Sequence, residues 1–369
     1  MSLMQEMAQR ALDHDIPLSV QLDVTYRCNE RCVHCYLDHD DHGEMTTAEI
    51  RGVLDQLAEA GVFFLTLSGG EVFMRRDFLE IVEYARSLMF CVKIKTNAFM
   101  IREEEAKRLS ELMVQDVQVS IYSHRPEVHD AITLLPGSLK RSVNGIRQLR
   151  AQGVNVVIAN VLMMQNFGDS DGVQALAREL GASFTTDPTI TPMMDGNRST
   201  LRLGIGIHEL HEAFRNSDLV GDVDEFCTPP PVIDEKIMSE LPCSAGHTAC
   251  YISPYGELFP CVQFPLPSGS VRRQKFMDIW RHSAQLNEVR SITMADLPVC
   301  SGCRHVGACS RCPGLAYMEG NMRGPSELDC EKSFARTGLP SANMLLRGTS
   351  LAPHRLVQIA SLQSMAPTA

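Results

Sequence analysis

Cys28-Asn29-Glu30-Arg31-Cys32-Val33-His34-Cys35-Tyr36 places three cysteines at the spacing CxxxCxxC. The run just before it, 18–24, is apolar and reads as a strand, so the cysteines fall in the loop at its C-terminal end. Clustered thiolates are soft ligands that select zinc, copper(I) or iron–sulfur. A closed zinc site wants four ligands, and His34 would complete the three cysteines. A cubane held by three cysteines instead leaves one iron open to a bound small molecule. The spacing alone leaves both readings standing.

Working outward, a strand–helix alternation follows. Strands are expected at 18–24, 62–67, 92–96, 116–121, 154–161 and 183–187. Helices are expected at 46–60, 77–89, 102–113, 139–152 and 169–180, after a short helix in 1–17. Thr46-Thr47-Ala48-Glu49 has the form of a capping box, and Gly61 and Gly153 sit where helices end. Such units imply a parallel sheet with helices outside, and six strands fit a partial (β/α)6 TIM-like barrel of the α/β class. Its chemistry belongs at the C-terminal ends of the strands.

Those ends carry suitable residues. Ser68-Gly69-Gly70-Glu71 follows the second strand: two glycines allow close backbone approach, and a carboxylate beside them can accept from an ammonium. A glycine turn before a helix is the simpler alternative. Lys95-Thr96-Asn97-Ala98 follows the third strand, Ser120 the fourth and Asn160 the fifth. Ser120 and Asn160 read equally as strand-end groups bonded to backbone. The run Asp38-His39-Asp40-Asp41-His42 reads as a solvated loop.

A second cysteine cluster lies downstream. Cys243, Cys250 and Cys261 precede Cys300-x2-Cys303-x5-Cys309-x2-Cys312, and Cys330 closes the set. Eight cysteines match two cubanes of four thiolates each. Paired CxxC also suits zinc ribbons. A hairpin is expected over 251–261, turning at Pro254-Tyr255-Gly256. Of the other two cysteines, Cys91 opens an apolar strand and Cys227 sits in a proline-rich bridge.

Net charge is −11, which disfavours nucleic acid or an anionic membrane as partner. No apolar run reaches membrane-spanning length, and the acidic N-terminus lacks a signal-peptide core. A cytoplasmic location follows, where thirteen cysteines read as metal ligands more than disulfides.

Taken together, CxxxCxxC plus aromatic, Gly-Gly-Glu and Thr96-Asn97 resemble the radical S-adenosylmethionine (SAM) superfamily, and the downstream cysteines resemble its SPASM extension. The resemblance spans 18–330. It implies a [4Fe-4S] cluster on Cys28, Cys32 and Cys35 whose open iron chelates SAM and cleaves it to a 5′-deoxyadenosyl radical. It implies SAM contacts from Tyr36, Ser68, Gly69, Gly70, Glu71 and Asn97, with Ser120 and Asn160 placed for the ribose or carboxylate. Glu71 would take the methionyl ammonium. Ala98 departs from the family's glycine, and the second x2 departs from its usual x3. By order, Cys243, Cys250, Cys261 and Cys312 would hold one auxiliary [4Fe-4S] cluster, and Cys300, Cys303, Cys309 and Cys330 another, making three clusters. Relatives of this kind mostly modify ribosomal peptides. Val262 stands where formylglycine-forming members carry an acid, which argues against that reaction.

A peptide substrate is therefore expected, with a tetrapyrrole side chain or a metabolite as the small-molecule alternative and a non-catalytic Fe–S or zinc scaffold as the third. An external one-electron donor of flavodoxin or ferredoxin type is implied. The short stretch before Cys28 leaves no room for a fused leader-binding domain, so leader binding would fall to a separate protein, or the substrate would need none. The expected divisions are a lead-in at 1–17, barrel at 18–187, bridge at 188–242, SPASM domain at 243–330 and tail at 331–369, with a helical pattern at 356–362.

Overall fold

The computed structural model describes residues 3–228 and 234–348. The helical pattern at 356–362 and the prolines 229–231 lie outside them.

Six parallel strands form the core: β1 (Ser19–Thr25), β2 (Phe64–Gly69), β3 (Cys91–Thr96), β4 (Asp116–Ser120), β5 (Val156–Val161) and β6 (Ser183–Asp187). After α1 (Leu3–Asp13), helices α2 (Thr47–Glu59), α3 (Phe78–Ser87), α4 (Glu103–Glu111), α5 (Pro126–Thr133), α6 (Ser138–Ala151) and α7 (Ser170–Glu179) fill the crossovers. Thr46 does cap α2, with its hydroxyl accepting from Glu49 and the Glu49 carboxylate returning to the Thr46 N–H.

Every second strand residue faces the helices. Val20, Leu22, Leu65, Leu67, Val92, Ile94, Val117, Val119 and Ile158 are all fully buried there. Each such side chain stabilises the fold by roughly 1.5–3 kcal/mol. The alternate residues, among them Gln21, Asp23, Ser68, Lys95, Gln118 and Thr185, occupy the opposite face.

The sheet does not stop at the barrel. Its order is β6-β5-β4-β3-β2-β1-β7-β8-β9, with β7 (Ala249–Ile252), β8 (Glu257–Phe259) and β9 (Gly269–Ser270) coming from the cysteine-rich region. β7 pairs in parallel with β1, Ser19 to Leu22 opposite Ala249 to Ile252. β7 and β8 form the expected hairpin, and Gly256 turns it at φ +82. The sheet is thus an open, partial barrel. The bridge is packed: α8 (Ile207–Ala213) lies against the helix Glu327–Thr337, with Leu210 and Ala335 in one small core.

Candidate functional site

The loop after β1 is pinned to the end of α5. The Arg31 N–H donates to the Thr133 carbonyl at 3.0 Å and that of Val33 to the Ile132 carbonyl at 2.9 Å. Asp130 then caps the start of α6, accepting from Gly137, Leu139 and the Ser138 hydroxyl. The loop closes one side of a cavity of about 450 Å³ at the C-terminal strand ends. Cys28, Cys32, Cys35 and Tyr36 line it together with Ser68, Gly69, Gly70, Asn97, Ser120 and Asn160.

Glu71 does not line it. The side chain is fully buried, and both carboxylate oxygens are taken by the protein. Oε1 accepts from the Phe73 N–H at 3.1 Å and Oε2 from the Asn97 N–H at 2.8 Å, while the Thr96 hydroxyl lies 2.7 and 2.8 Å from the two. Glu71 therefore holds the Thr96-Asn97 turn in place, where the sequence reading has it meeting a ligand ammonium. The glycines before it also serve the protein. A side chain on Gly69 would meet the Thr25 carbonyl oxygen at 2.0 Å, and one on Gly70 the Arg27 carbonyl oxygen at 2.4 Å. Ala98 sits in the left-handed region at φ +56, which a glycine adopts without strain.

The cavity wall is more polar than the motifs alone indicate. Lys95, Gln118, Thr185 and Asp187 line it, and Lys95 is the one Lys or Arg among its described lining residues. Lys95 donates to Gln21 Oε1 at 3.1 Å, and burial lowers its pKa. The signal was present in sequence: Lys95 follows Ile94, Gln118 stands between Val117 and Val119 and Thr185 follows Phe184, where a parallel strand buried on both faces is continuously apolar.

Behind the wall, fully buried Asp23 accepts from Tyr251 at 3.0 Å and Gln21 at 3.0 Å. Burial raises its pKa from 3.8 to about 6. Between these values the folded state binds the extra proton, so stability falls as pH rises through the window. Asp23→Asn is therefore expected to stabilise the protein at about pH 8, by up to about 3 kcal/mol. The gain should shrink as pH is lowered through about 6. Urea unfolding midpoints at several pH values test this, and equal midpoints at about pH 8 refute it.

Burial pushes the Cys28 thiol up to about 12 and raises Cys32 and Cys35 as well. Such thiols stay protonated until a metal draws them into thiolate form. Among the described residues no three His, Cys, Asp or Glu side chains converge as ligands of one metal ion. Three thiols spaced around a cavity suit a cluster. Unpaired buried atoms suit a further ligand that donates hydrogen bonds: Glu30 Oε1 and Asn160 Oδ1 accept nothing, though both residues line the cavity.

The downstream cysteines fall into two neighbourhoods. The thiols of Cys250 and Cys312, raised chiefly by burial, are raised further by Cys261, and Cys261 in turn by Cys243. In the second, burial is again foremost. Cys300 is also raised by Cys309 and Cys303, Cys309 by Cys330 and Cys303, and Cys330 by Cys300 and Cys303. The first neighbourhood borders the cavity. Val262 and Gln263 line it, and Gln263 Oε1 lies 3.9 Å from the Cys312 sulfur while its amide donates to Thr191. In the sequence only the neighbouring Val262 stands out, as a departure from an acid. Asp38 and His42 pair in an exposed loop at 3.0 Å. Cys91 is only partly buried and contacts Gln115. Cys227 accepts from Arg215 at 3.0 Å.

Residues 22–178 match the family model of the radical SAM superfamily, and 243–313 match that of the SPASM iron–sulfur cluster-binding domain. The chain is 28% identical over 359 residues to mycofactocin maturase MftC of Mycobacterium tuberculosis, covering 93% of this chain and 89% of that protein. It is 26% identical over 325 residues to the AdoMet-dependent heme synthase of Methanosarcina barkeri, covering 82% and 92%. The fold resembles that of Streptococcus suis SuiB, crystallised with precursor peptide SuiA, with TM-score 0.70 at 16% identity over 88% of this chain and 79% of that one. Among the described residues no helix is long and apolar enough to cross a membrane.

Proposed function

From the premise that this chain is a radical SAM enzyme carrying a SPASM iron–sulfur domain, we propose that it matures a ribosomally made peptide by an oxidative modification such as a cross-link or thioether. The observation that carries this reading is the shared cavity: the CxxxCxxC loop forms one side, and Val262 and Gln263, beside Cys261, enter from the SPASM domain. A substrate held there lies between the two cysteine systems. The maturase relatives favour a peptide as that substrate. The heme synthase relatives are the specific ground for a second reading, a small molecule bearing an oxidisable side chain.

Cys28, Cys32 and Cys35 hold the cluster that, when loaded, supplies the electron for reductive SAM cleavage. Tyr36, Ser68, Gly69, Gly70, Asn97, Ser120 and Asn160 form the walls for SAM, and Glu71 keeps Asn97 in position. Asn160 offers its free Oδ1 to a ligand donor while its amide stays on the Ile121 carbonyl at 2.8 Å. Cys243, Cys250, Cys261 and Cys312 hold one auxiliary cluster, and Cys300, Cys303, Cys309 and Cys330 the other. Neither Val262 nor Gln263 is a base, which argues against formylglycine formation. The enzyme works in the cytoplasm with a flavodoxin- or ferredoxin-type donor.

Iron content tests the assignment. Anaerobic reconstitution is expected to give about twelve irons per chain, four for each of three cubanes. About four irons with about two zincs would overturn the auxiliary clusters and leave the SAM site standing. Genes beside this one decide between the substrates: a short cysteine-rich or repeat-bearing open reading frame favours the peptide, and tetrapyrrole enzymes favour the small molecule.

A further inference from the structure

Three arginines beside the downstream cysteines each keep one nitrogen without a partner. Arg290, next to Cys250, donates from Nε to the Gly246 carbonyl at 2.7 Å and leaves Nη2 unused. Arg336, next to Cys309, lies 5.2 Å over the Phe226 ring and leaves Nε unused. Arg311 is the most deeply placed, at 5% exposure. Its Nε donates to the Gly324 carbonyl at 3.0 Å, and its Nη2 to the same carbonyl at 2.5 Å and to that of Met322. Its Nη1 meets no partner at hydrogen-bond distance, while the guanidinium lies close enough to the Cys300 thiol to lower its burial-raised pKa by charge and hydrogen bonding.

A buried guanidinium with an idle N–H is costly, because the charge has left water and one donor gains nothing in return. No carboxylate forms an ion pair with Arg311 among the described residues. What faces it is the Cys300 thiol. A cubane held by four thiolates is anionic, and more so once reduced. An N–H donated to its sulfur, with positive charge behind it, favours the reduced form and raises the reduction potential.

We infer that Arg311 is a positioning residue for the second auxiliary cluster, donating from Nη1 to sulfur at the Cys300 corner and raising that cluster's reduction potential. This rests on the assignment of Cys300, Cys303, Cys309 and Cys330 to one cluster. The backbone carbonyls of Met322 and Gly324 fix the other two nitrogens, so Nη1 is aimed before any cluster arrives. Lysine cannot reproduce that fork.

The test is an EPR-monitored redox titration of the fully loaded, full-length enzyme, with iron measured on each sample. In Arg311→Gln one reduced-cluster component is expected to move to a more negative midpoint while the others stay. In Arg311→Lys, which keeps the charge and loses the aimed N–H, the same component should move in the same direction by less. If every component of both variants titrates as in the parent at full iron content, the inference is overturned. If Arg311→Gln fails to load, Arg311→Lys decides alone, and an unmoved component there overturns it. A parent enzyme with about eight irons or fewer would instead sink the cluster assignment itself.

Discussion

Replacing Cys28, Cys32 and Cys35 together by alanine is expected to abolish 5′-deoxyadenosine formation under dithionite. All three sulfurs border one cavity, and among the described residues no other cysteine set lines it. The auxiliary neighbourhoods depend on other strands and loops, so the variant should still fold and keep about eight irons. The loop itself stays anchored, because Arg31 and Val33 bond to α5 through backbone groups that alanine does not touch. Product chromatography after anaerobic incubation with SAM is the measurement. Cleavage persisting in the triple variant would place the electron-injecting cluster elsewhere. Cys303→Ala makes the informative contrast, since it should retain some SAM cleavage.

A single methyl on Gly69 is expected to do comparable damage by another route. Gly69 lies at φ +138, a conformation costly for any L side chain, and its Cβ would stand 2.0 Å from the Thr25 carbonyl oxygen. The obstacle is backbone, so no rotamer change relieves it. The strand end carrying Thr25, Tyr26 and Arg27 must move, and Cys28 moves with it. Strain and overpacking together should cost about 3 kcal/mol or more. SAM affinity should fall in parallel. Gly153→Ala is the control: φ is +76 there, but nothing lies within 4 Å of the new Cβ. It should cost about 1 kcal/mol. Denaturant unfolding compares the two, and equal losses would show that the close approach of the two loops is unimportant.

How much of this was legible beforehand follows from what each signal depends on. The barrel strands β1 to β5 were readable because period-two burial against helices leaves its mark on them, whereas β6 buries no residue fully and only alternates. Helix ends were readable where glycine took the left-handed turn, as at Gly61 and Gly153. They blurred after α3 and α4, where Met89 and Met113 take it at φ +68 and +49, so the apolar pattern ran past both ends. The three-cysteine loop and Gly-Gly-Glu were legible as a site, but not the orientation of Glu71. That depends on Thr96 and Asn97, at the end of a different strand, supplying donors to both carboxylate oxygens. β7 escaped notice as a barrel strand for a similar reason. Four residues carry little pattern, and their partner β1 lies far back in the chain.

The pairing of β7 with β1 bears on how such enzymes can be taken apart or recombined. The cysteine-rich region looks in sequence like an accessory appended after a linker, removable or exchangeable as a unit. Yet cutting before residue 243 would strip β1 of one neighbour and leave its Ser19-to-Leu22 backbone groups unpaired at a bare sheet edge. Tyr251, donating to Asp23 and hydrogen-bonded to the Tyr26 hydroxyl, would be lost as well, leaving a buried acid with one side-chain donor fewer while Gln21 remains. The catalytic half is therefore finished by the accessory half. A transplanted SPASM domain must bring a strand that fits its host's first strand, and compatibility at that seam, as much as the cysteine spacing, limits which halves can be joined.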